Sequence, residues 1–371
     1  MSAADPVREV LFVAHSSQAS GAEKIMLALA ELAAARGYRV RVACPVGPLS
    51  ARLPDAVAHQ PLPELGLTGQ QGSDRLRAAV VMVWRWLRAA LVLRRLTRPA
   101  GVTTVVNSTM ALPAVALALP RRRTAVWLVH DVLASRRQFV VARLGGLAVG
   151  RAVAVSERAA IPVRQCGFDV RVARQGVAWP VDPAPVGDRA PLVAGILGVV
   201  TAWKGHHVLL AAAAEVPDLR IEIAGSAHPG DEPYLAELRA RAERPDLAGR
   251  VRFLGAVDAL DTLRGWDILV SASVLPEAGP LVVLEAMSVG VPVVATGHGG
   301  NATPDTAVCV SPDDPDALRA ALETLVRDPD LRADLRARGR ARIAAAHDLS
   351  AALPRMLGAL LARDQNETVG P

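Results

Sequence analysis

The sequence predicts an α/β protein built from two Rossmann-like, doubly wound parallel sheets, and three observations carry that expectation. Short apolar runs alternate with helical patterns along all 371 residues, as they do in chains of βαβ units. Most of these runs are apolar at consecutive positions, as strands of a parallel sheet buried on both faces are. One break divides the chain near its middle. Residues 179–191 read WPVDPAPVGDRAP, and four prolines in thirteen residues suit neither a helix nor a central strand.

Taken in order, strands are expected at 7–14, 38–44, 102–107, 125–130, 152–155 and 170–173. After the break they are expected at 192–197, 219–224, 251–254, 268–271, 291–295 and 307–310. Helical patterns such as 22–36, 234–242 and 315–326 lie between them. The expected organisation is a first domain over 1–178, a linker at 179–191 and a second domain over 192–346. A helical segment at 347–363 is expected to pack back toward the first domain, and 364–371 is a polar tail. Two facing sheets of this kind put their carboxyl ends at one cleft, where open α/β sheets bind ligands.

Composition excludes several function classes. Hydrophobic residues make up 51% of the chain, so a packed protein is expected rather than a disordered one. The net charge of +6 divides into +14 for residues 1–180 and −8 for the remainder. A basic first half suits an anionic partner or reflects an Arg-rich composition. Nucleic acid is disfavoured, because aromatics are only 3% of residues and no known binding module is present. Cys44, Cys166 and Cys309 have no metal-ligand spacing, and a reducing, cytoplasmic compartment fits them best. The apolar run 10–14 is too short for a signal peptide. The stretch 78–93 is interrupted by Arg85 and Arg88, so no membrane-spanning helix is expected.

The chemistry-bearing motifs fall after strands. In 273–287, SVLPEAGPLVVLEAM, Glu277 lies in the loop after a strand and Glu285 in a helix expected to start near Pro280, with proline at its first position. The N–H groups of Leu281 and Val282 would then face a phosphate, Glu285 a ribose diol and Glu277 the transferred group. In 195–207, GILGVVTAWKGHH, a strand ends near Gly198. Lys204, one of only two lysines, then opens the next helix as a mobile charge for a diphosphate. The loop lacks the spacing of an ATP-binding P-loop. Gly21, in the first strand-to-helix turn, allows close backbone approach, and the absence of GxGxxG there disfavours nicotinamide and flavin chemistry. His130 ends a strand and could bind a sugar hydroxyl or shuttle a proton, with Asp131 orienting it. Gly297, Gly299 and Gly300 form a turn that could pass close to a nucleotide. Each motif alone has a plain structural reading: a capped helix, a solvated lysine, a tight turn.

Together and in this order they resemble glycosyltransferase family 4, the retaining enzymes of the GT-B fold. The resemblance runs through 10–45, Ser156-Glu157, Lys204-Gly205, 251–255, the E-x7-E pair Glu277/Glu285, and Gly290 to Gly300. It implies that Lys204 neutralises the donor diphosphate, Glu277 contacts the donor sugar and Glu285 the ribose. Amides of Gly279, Leu281 and Val282 would hold phosphate, with Pro280, Gly21, Gly198 and Leu254 also lining the donor site. His130 would meet the sugar from the opposite domain. It also implies transfer without a metal or any other cofactor, the nucleotide sugar being a substrate; UDP is expected ahead of GDP. The acceptor would be lipid-linked, a glycan or a small molecule. The chain departs from the family at Val199, where arginine is usual, at Gly279-Pro280 in place of Phe-Gly, and at Asn301 to Asp305. The alternatives are a non-catalytic relative and a nucleotide-sugar epimerase or hydrolase of the same fold.

Residues 75–98 form a basic, Trp-bearing helical pattern. It reads as a core helix with a solvated Arg face, or as a helix lying on an anionic membrane at the inner face of the plasma membrane.

Overall fold

The computed structural model describes residues 8–66, 75–99, 101–185, 190–228, 230–298 and 300–362. The chain divides into two compact units, residues 1–175 with 351–371, and residues 176–350.

The first unit holds a sheet of seven strands: β1 (Glu9–Val13), β2 (Arg39–Cys44), β3 (Val57–Pro61), β4 (Val102–Val106), β5 (Ala125–Val129), β6 (Val149–Ala154) and β7 (Asp169–Val172). Their order is β3-β2-β1-β4-β5-β6-β7, and neighbouring strands are parallel. The helices are α1 (Gly21–Ala35), α2 (Arg75–Leu96), α3 (Leu112–Ala118), α4 (Arg136–Gly145) and α5 (Glu157–Gln165). The sequence pattern gives six of these strands and misses β3. That strand reads VAHQP, polar and ending in proline, and it lies at the sheet edge. There a missing N–H leaves no ladder bond unmade.

The second unit holds six parallel strands: β8 (Leu192–Leu197), β9 (Leu219–Ala224), β10 (Val251–Gly255), β11 (Ile268–Ser271), β12 (Val293–Thr296) and β13 (Val308–Val310). They follow the order β10-β9-β8-β11-β12-β13. Its helices are α6 (His206–Ala214), α7 (Glu232–Ala242), α8 (Ala259–Arg264), α9 (Leu281–Val289), α10 (Pro315–Arg327) and α11 (Pro329–Arg342). Strand β11 shows why the apolar runs are continuous. Ile268 and Val270 enter one core cluster and Leu269 the other, so successive side chains are buried on opposite faces. Each fully buried aliphatic side chain contributes ~1.5–3 kcal/mol.

The strand order reverses between β1 and β4 and between β8 and β11. These are the points where open α/β sheets bind ligands at their carboxyl ends.

The Pro-rich segment is held on the second unit. Val177 donates its N–H to the His347 carbonyl at 2.9 Å and Ala184 to that of Val289 at 2.7 Å. The Arg340 guanidinium lies 4.7 Å from the Trp179 ring centroid. The last helix, α12 (Leu349–Leu361), belongs to the first unit from Ala351 onward. There the buried Arg151 side chain on β6 donates to the Leu360 carbonyl at 2.8 Å.

Candidate functional site

In the second unit, the loops after β8 and β11 meet at the switch point. Strand β8 ends at Gly198, and the next turn, Ala202–Lys204, leads into Gly205 and α6. Gly205 has φ +74°, and a Cβ there would stand 1.9 Å from the Ala272 carbonyl oxygen. The Lys204 loop is thus pressed onto the chain leaving β11, a closeness only glycine permits. Val274 reinforces it by donating its N–H to the Trp203 carbonyl at 2.8 Å.

This contact brings together two residues 73 positions apart. Lys204 Nζ lies 2.8 Å from Glu277 Oε2, and both side chains are largely buried. The other oxygen of Glu277 accepts the Ser273 hydroxyl, and the Ser273 carbonyl accepts from Thr296 Oγ1 at 2.9 Å. Lys204 Nζ also sits 4.4 Å from the Trp203 ring centroid, a favourable place for a cation. Gly205→Ala is therefore expected to destabilise the second unit by ~2–3 kcal/mol, because the left-handed backbone and the carbonyl clash act together. A urea midpoint equal to wild type would show that the loop relaxes freely.

Helix α9 begins one residue later than the sequence suggests. Pro280 is the N-cap, with φ −63° and ψ 124°, rather than the first helical residue. Val283 N–H turns back to the Pro280 carbonyl at 3.2 Å. Leu281 and Val282 thus occupy the first turn, where N–H groups have no intrahelical acceptor. Sequence reasoning missed the residue that fixes this start. Asn301 is buried and donates Nδ2 to the Pro280 carbonyl at 3.1 Å. Its amide also fills the space beside Gly279, where a Cβ would come within 2.9 Å of it. Asn301 lies in the stretch that departs from the family pattern, so only the structure gives it a role. Glu285 lies one turn into α9, partly accessible, and Leu254 lies on β10, half-buried. Gly297 and Gly300 are in the turn after β12, while Gly299 lies outside the described residues.

In the first unit, His130 follows β5. Its Nε2 pairs with Asn107 Oδ1 at 2.9 Å, so the residue orienting it is Asn107, at the end of β4, and not Asp131 as the sequence suggests. The β4–β5 pairing brings these strand ends together. Burial pushes the His130 imidazole down to about 4, which leaves it neutral near pH 7 and suits a hydrogen-bonding role better than proton shuttling. Gly21 is the first residue of α1, and Glu23 reaches back to the Ser20 N–H at 3.2 Å. Glu23 thus caps its own helix.

His206, next to Gly205, is fully buried and pushed down to about 4, chiefly by desolvation and then by the nearby Lys204 charge. The unfolded chain therefore binds the extra proton between the ordinary histidine value of 6.5 and pH 4. Stability is present in full above that window and is lost as pH falls through it, by ~1.4 kcal/mol per pH unit. His206→Leu should flatten this part of the urea-midpoint profile. An unchanged slope below pH 6.5 would assign the acid lability elsewhere.

Among the described residues no group of three or more His, Cys, Asp or Glu is placed to hold a metal ion, and no helix is long and apolar enough to cross a membrane. Cys44, Cys166 and Cys309 are free thiols.

Residues 187–342 match the family model of glycosyl transferases group 1. Over 151 residues the chain is 38% identical to the phosphatidyl-myo-inositol mannosyltransferase of Mycolicibacterium smegmatis, covering 38% of this chain and 37% of that protein. Over 158 residues it is 34% identical to the GDP-mannose-dependent monoacylated alpha-(1-6)-phosphatidylinositol monomannoside mannosyltransferase of Corynebacterium glutamicum, covering 38% and 40%. The chain thus spans well under half the length of these curated relatives. Among solved structures, Anabaena Alr3699/HepE in complex with UDP-glucose superposes with a TM-score of 0.78 at 22% identity, over 95% of this chain and 99% of that one. The chain has the GT-B fold, shared with this structure, and residues 187–342 carry the group 1 glycosyl transferase pattern.

Proposed function

We propose that the protein is a retaining glycosyltransferase that moves a sugar from a nucleoside diphosphate sugar to an acceptor without a metal ion. The observation that supports this best is the Lys204–Glu277 pair at the β8/β11 switch point, beside the first-turn amides of α9. In the free protein Glu277 balances the lysine. With donor bound, Lys204 turns to the diphosphate and Glu277 is released toward the sugar hydroxyls, while the amides of Leu281 and Val282 hold phosphate oxygens and Glu285 the ribose. The bond from the anomeric carbon to the diphosphate oxygen breaks as the acceptor oxygen bonds to that carbon. The acceptor proton passes to the departing diphosphate, whose charge Lys204 stabilises.

UDP is the base expected ahead of GDP, whereas the Corynebacterium relative is named for GDP-mannose, so the test runs both. Calorimetry with UDP, GDP, UDP-glucose, UDP-N-acetylglucosamine and GDP-mannose should show saturable binding of one base. Product NMR should show the donor's anomeric configuration retained, with turnover unaffected by EDTA. Failure of every nucleotide to bind would overturn the reading, and binding without transfer to any lipid-linked, glycan or small-molecule acceptor would favour a non-catalytic relative. We place the protein in the cytoplasm, peripheral at the inner face of the plasma membrane.

A further inference from the structure

The face of the first unit formed by α2, α3 and α4 is unusual for a surface exposed to water. Strands β3 to β4, β4 to β5 and β5 to β6 all advance in the same direction across the sheet. Right-handed crossovers therefore put α2, α3 and α4 on one side of it, and α2 packs on α3 and α3 on α4. The inner side of α2 is ordinary, with Met82, Ala89 and Leu93 buried.

Its outer side carries Val80, Trp84, Leu87 and Leu91, with relative exposures of 63%, 53%, 49% and 64%. At 100° per residue these four fall within about 60° of one another. They form one apolar stripe about three turns long, pointing away from the core. Arg77, Arg88 and Arg95 lie along one side of the stripe and Arg94 along the other, all exposed. The Arg88 guanidinium rests 4.6 Å from the Trp84 ring centroid. The pattern repeats on α4, where Val140 and Leu144, and Leu147 in the turn that follows, are exposed among exposed Arg136, Arg137 and Arg143. Leu117 on α3, between the two helices, is also exposed.

Charge identifies the occupant. Residues 75–150 contain thirteen arginines and a single carboxylate, Asp131. A protein partner covering so basic and apolar a face would have to be both acidic and greasy. A bilayer containing anionic lipid is both by construction. Its headgroups take the arginines, whose stems extend along the apolar stripe, and its acyl boundary takes Trp84 and the leucines.

We propose that the α2–α3–α4 face docks flat on an anionic lipid bilayer, with α2 and α4 as two parallel contact lines. Membrane attachment through 75–98 alone would be a narrower contact, and the second line on α4 holds the unit in a fixed orientation. This inference does not rest on the transferase reading.

The test is flotation of the full chain with vesicles of phosphatidylcholine alone and with about one third phosphatidylglycerol. Binding is expected only to the anionic vesicles, and it should weaken as salt rises. Arg88→Glu/Arg94→Glu/Arg95→Glu on α2 should weaken it by roughly a hundredfold or more, since each basic residue near the surface contributes ~1 kcal/mol. Arg143→Glu/Leu144→Glu on α4 should weaken it by at least about tenfold. Trp84→Phe should keep binding while removing a lipid-induced blue shift of the emission. Circular dichroism and nucleotide calorimetry on each variant separate misfolding and failure of the donor site from loss of docking. Equal binding to neutral vesicles, or charge-reversed α2 variants that partition like wild type, would overturn the proposal. So would concentration-dependent self-association with no vesicle binding, which would assign the face to a second copy. If only the α2 variants lose binding, the two-line contact is overturned.

Discussion

Lys204→Ala is expected to weaken nucleoside diphosphate binding by roughly ten- to a hundredfold and to lower kcat/KM by roughly a thousandfold. A hydrogen bond to a charged group contributes ~1.5–3 kcal/mol, which sets the binding loss. The larger kinetic loss follows because charge on the diphosphate grows as the glycosidic bond breaks, and a fixed cation acts most strongly on developing charge. The free protein also suffers, since Glu277 is left largely buried beside Ser273 without its cation. Calorimetry with UDP and GDP, and initial rates with the donor that binds, check both parts. Wild-type affinity in the variant would show that Lys204 serves only to hold Glu277 and the loop.

How much of this was legible in the sequence depends on distance along the chain. Lys204 stood out because lysine is rare here, and Glu277 and Glu285 because of their spacing and position after a strand. Strands β8 and β11 were readable to the residue because they are almost wholly apolar, and β9 because its apolar residues alternate with Arg220 and Glu222. The Lys204–Glu277 pair was not readable. It exists because β8 and β11 are neighbours and because Gly205 lets the two loops touch, and neither fact is local. Asn301 was hidden for the same reason, since its partner Pro280 lies 21 residues away. His130 was found, but its orienting group was sought next door at Asp131 instead of across the strand pair at Asn107. The edge strand β3 was lost because polar residues and a terminal proline are what an edge tolerates. On α2 the arginines were visible in sequence. Which apolar residues faced the core and which faced out depended on the sheet the helix crosses. That put Met82 and Leu93 inside and Trp84 and Leu91 outside.

Glu277→Gln should separate nucleotide binding from sugar transfer. The carboxylate has two opposed effects on a donor. It neutralises Lys204 before binding and repels the diphosphate that replaces it, both unfavourable to the nucleotide. It also offers a charged acceptor to the sugar, favourable to the transition state. Removing the charge while keeping the shape should therefore leave UDP or GDP affinity unchanged or raise it by up to about tenfold. The same change should lower kcat by roughly a hundred- to a thousandfold. With its carbonyl turned to Lys204, the glutamine amide can donate an N–H to the Ser273 hydroxyl oxygen, so the loop should keep its position. The double variant with Lys204→Ala makes the argument quantitative. If the two charges act on the diphosphate with opposite signs, the double variant binds nucleotide more tightly than Lys204→Ala alone, because the uncompensated carboxylate has gone. If Glu277 only props the lysine in place, Glu277→Gln instead loses nucleotide affinity as Lys204→Ala does, and the double variant is no better than either single one.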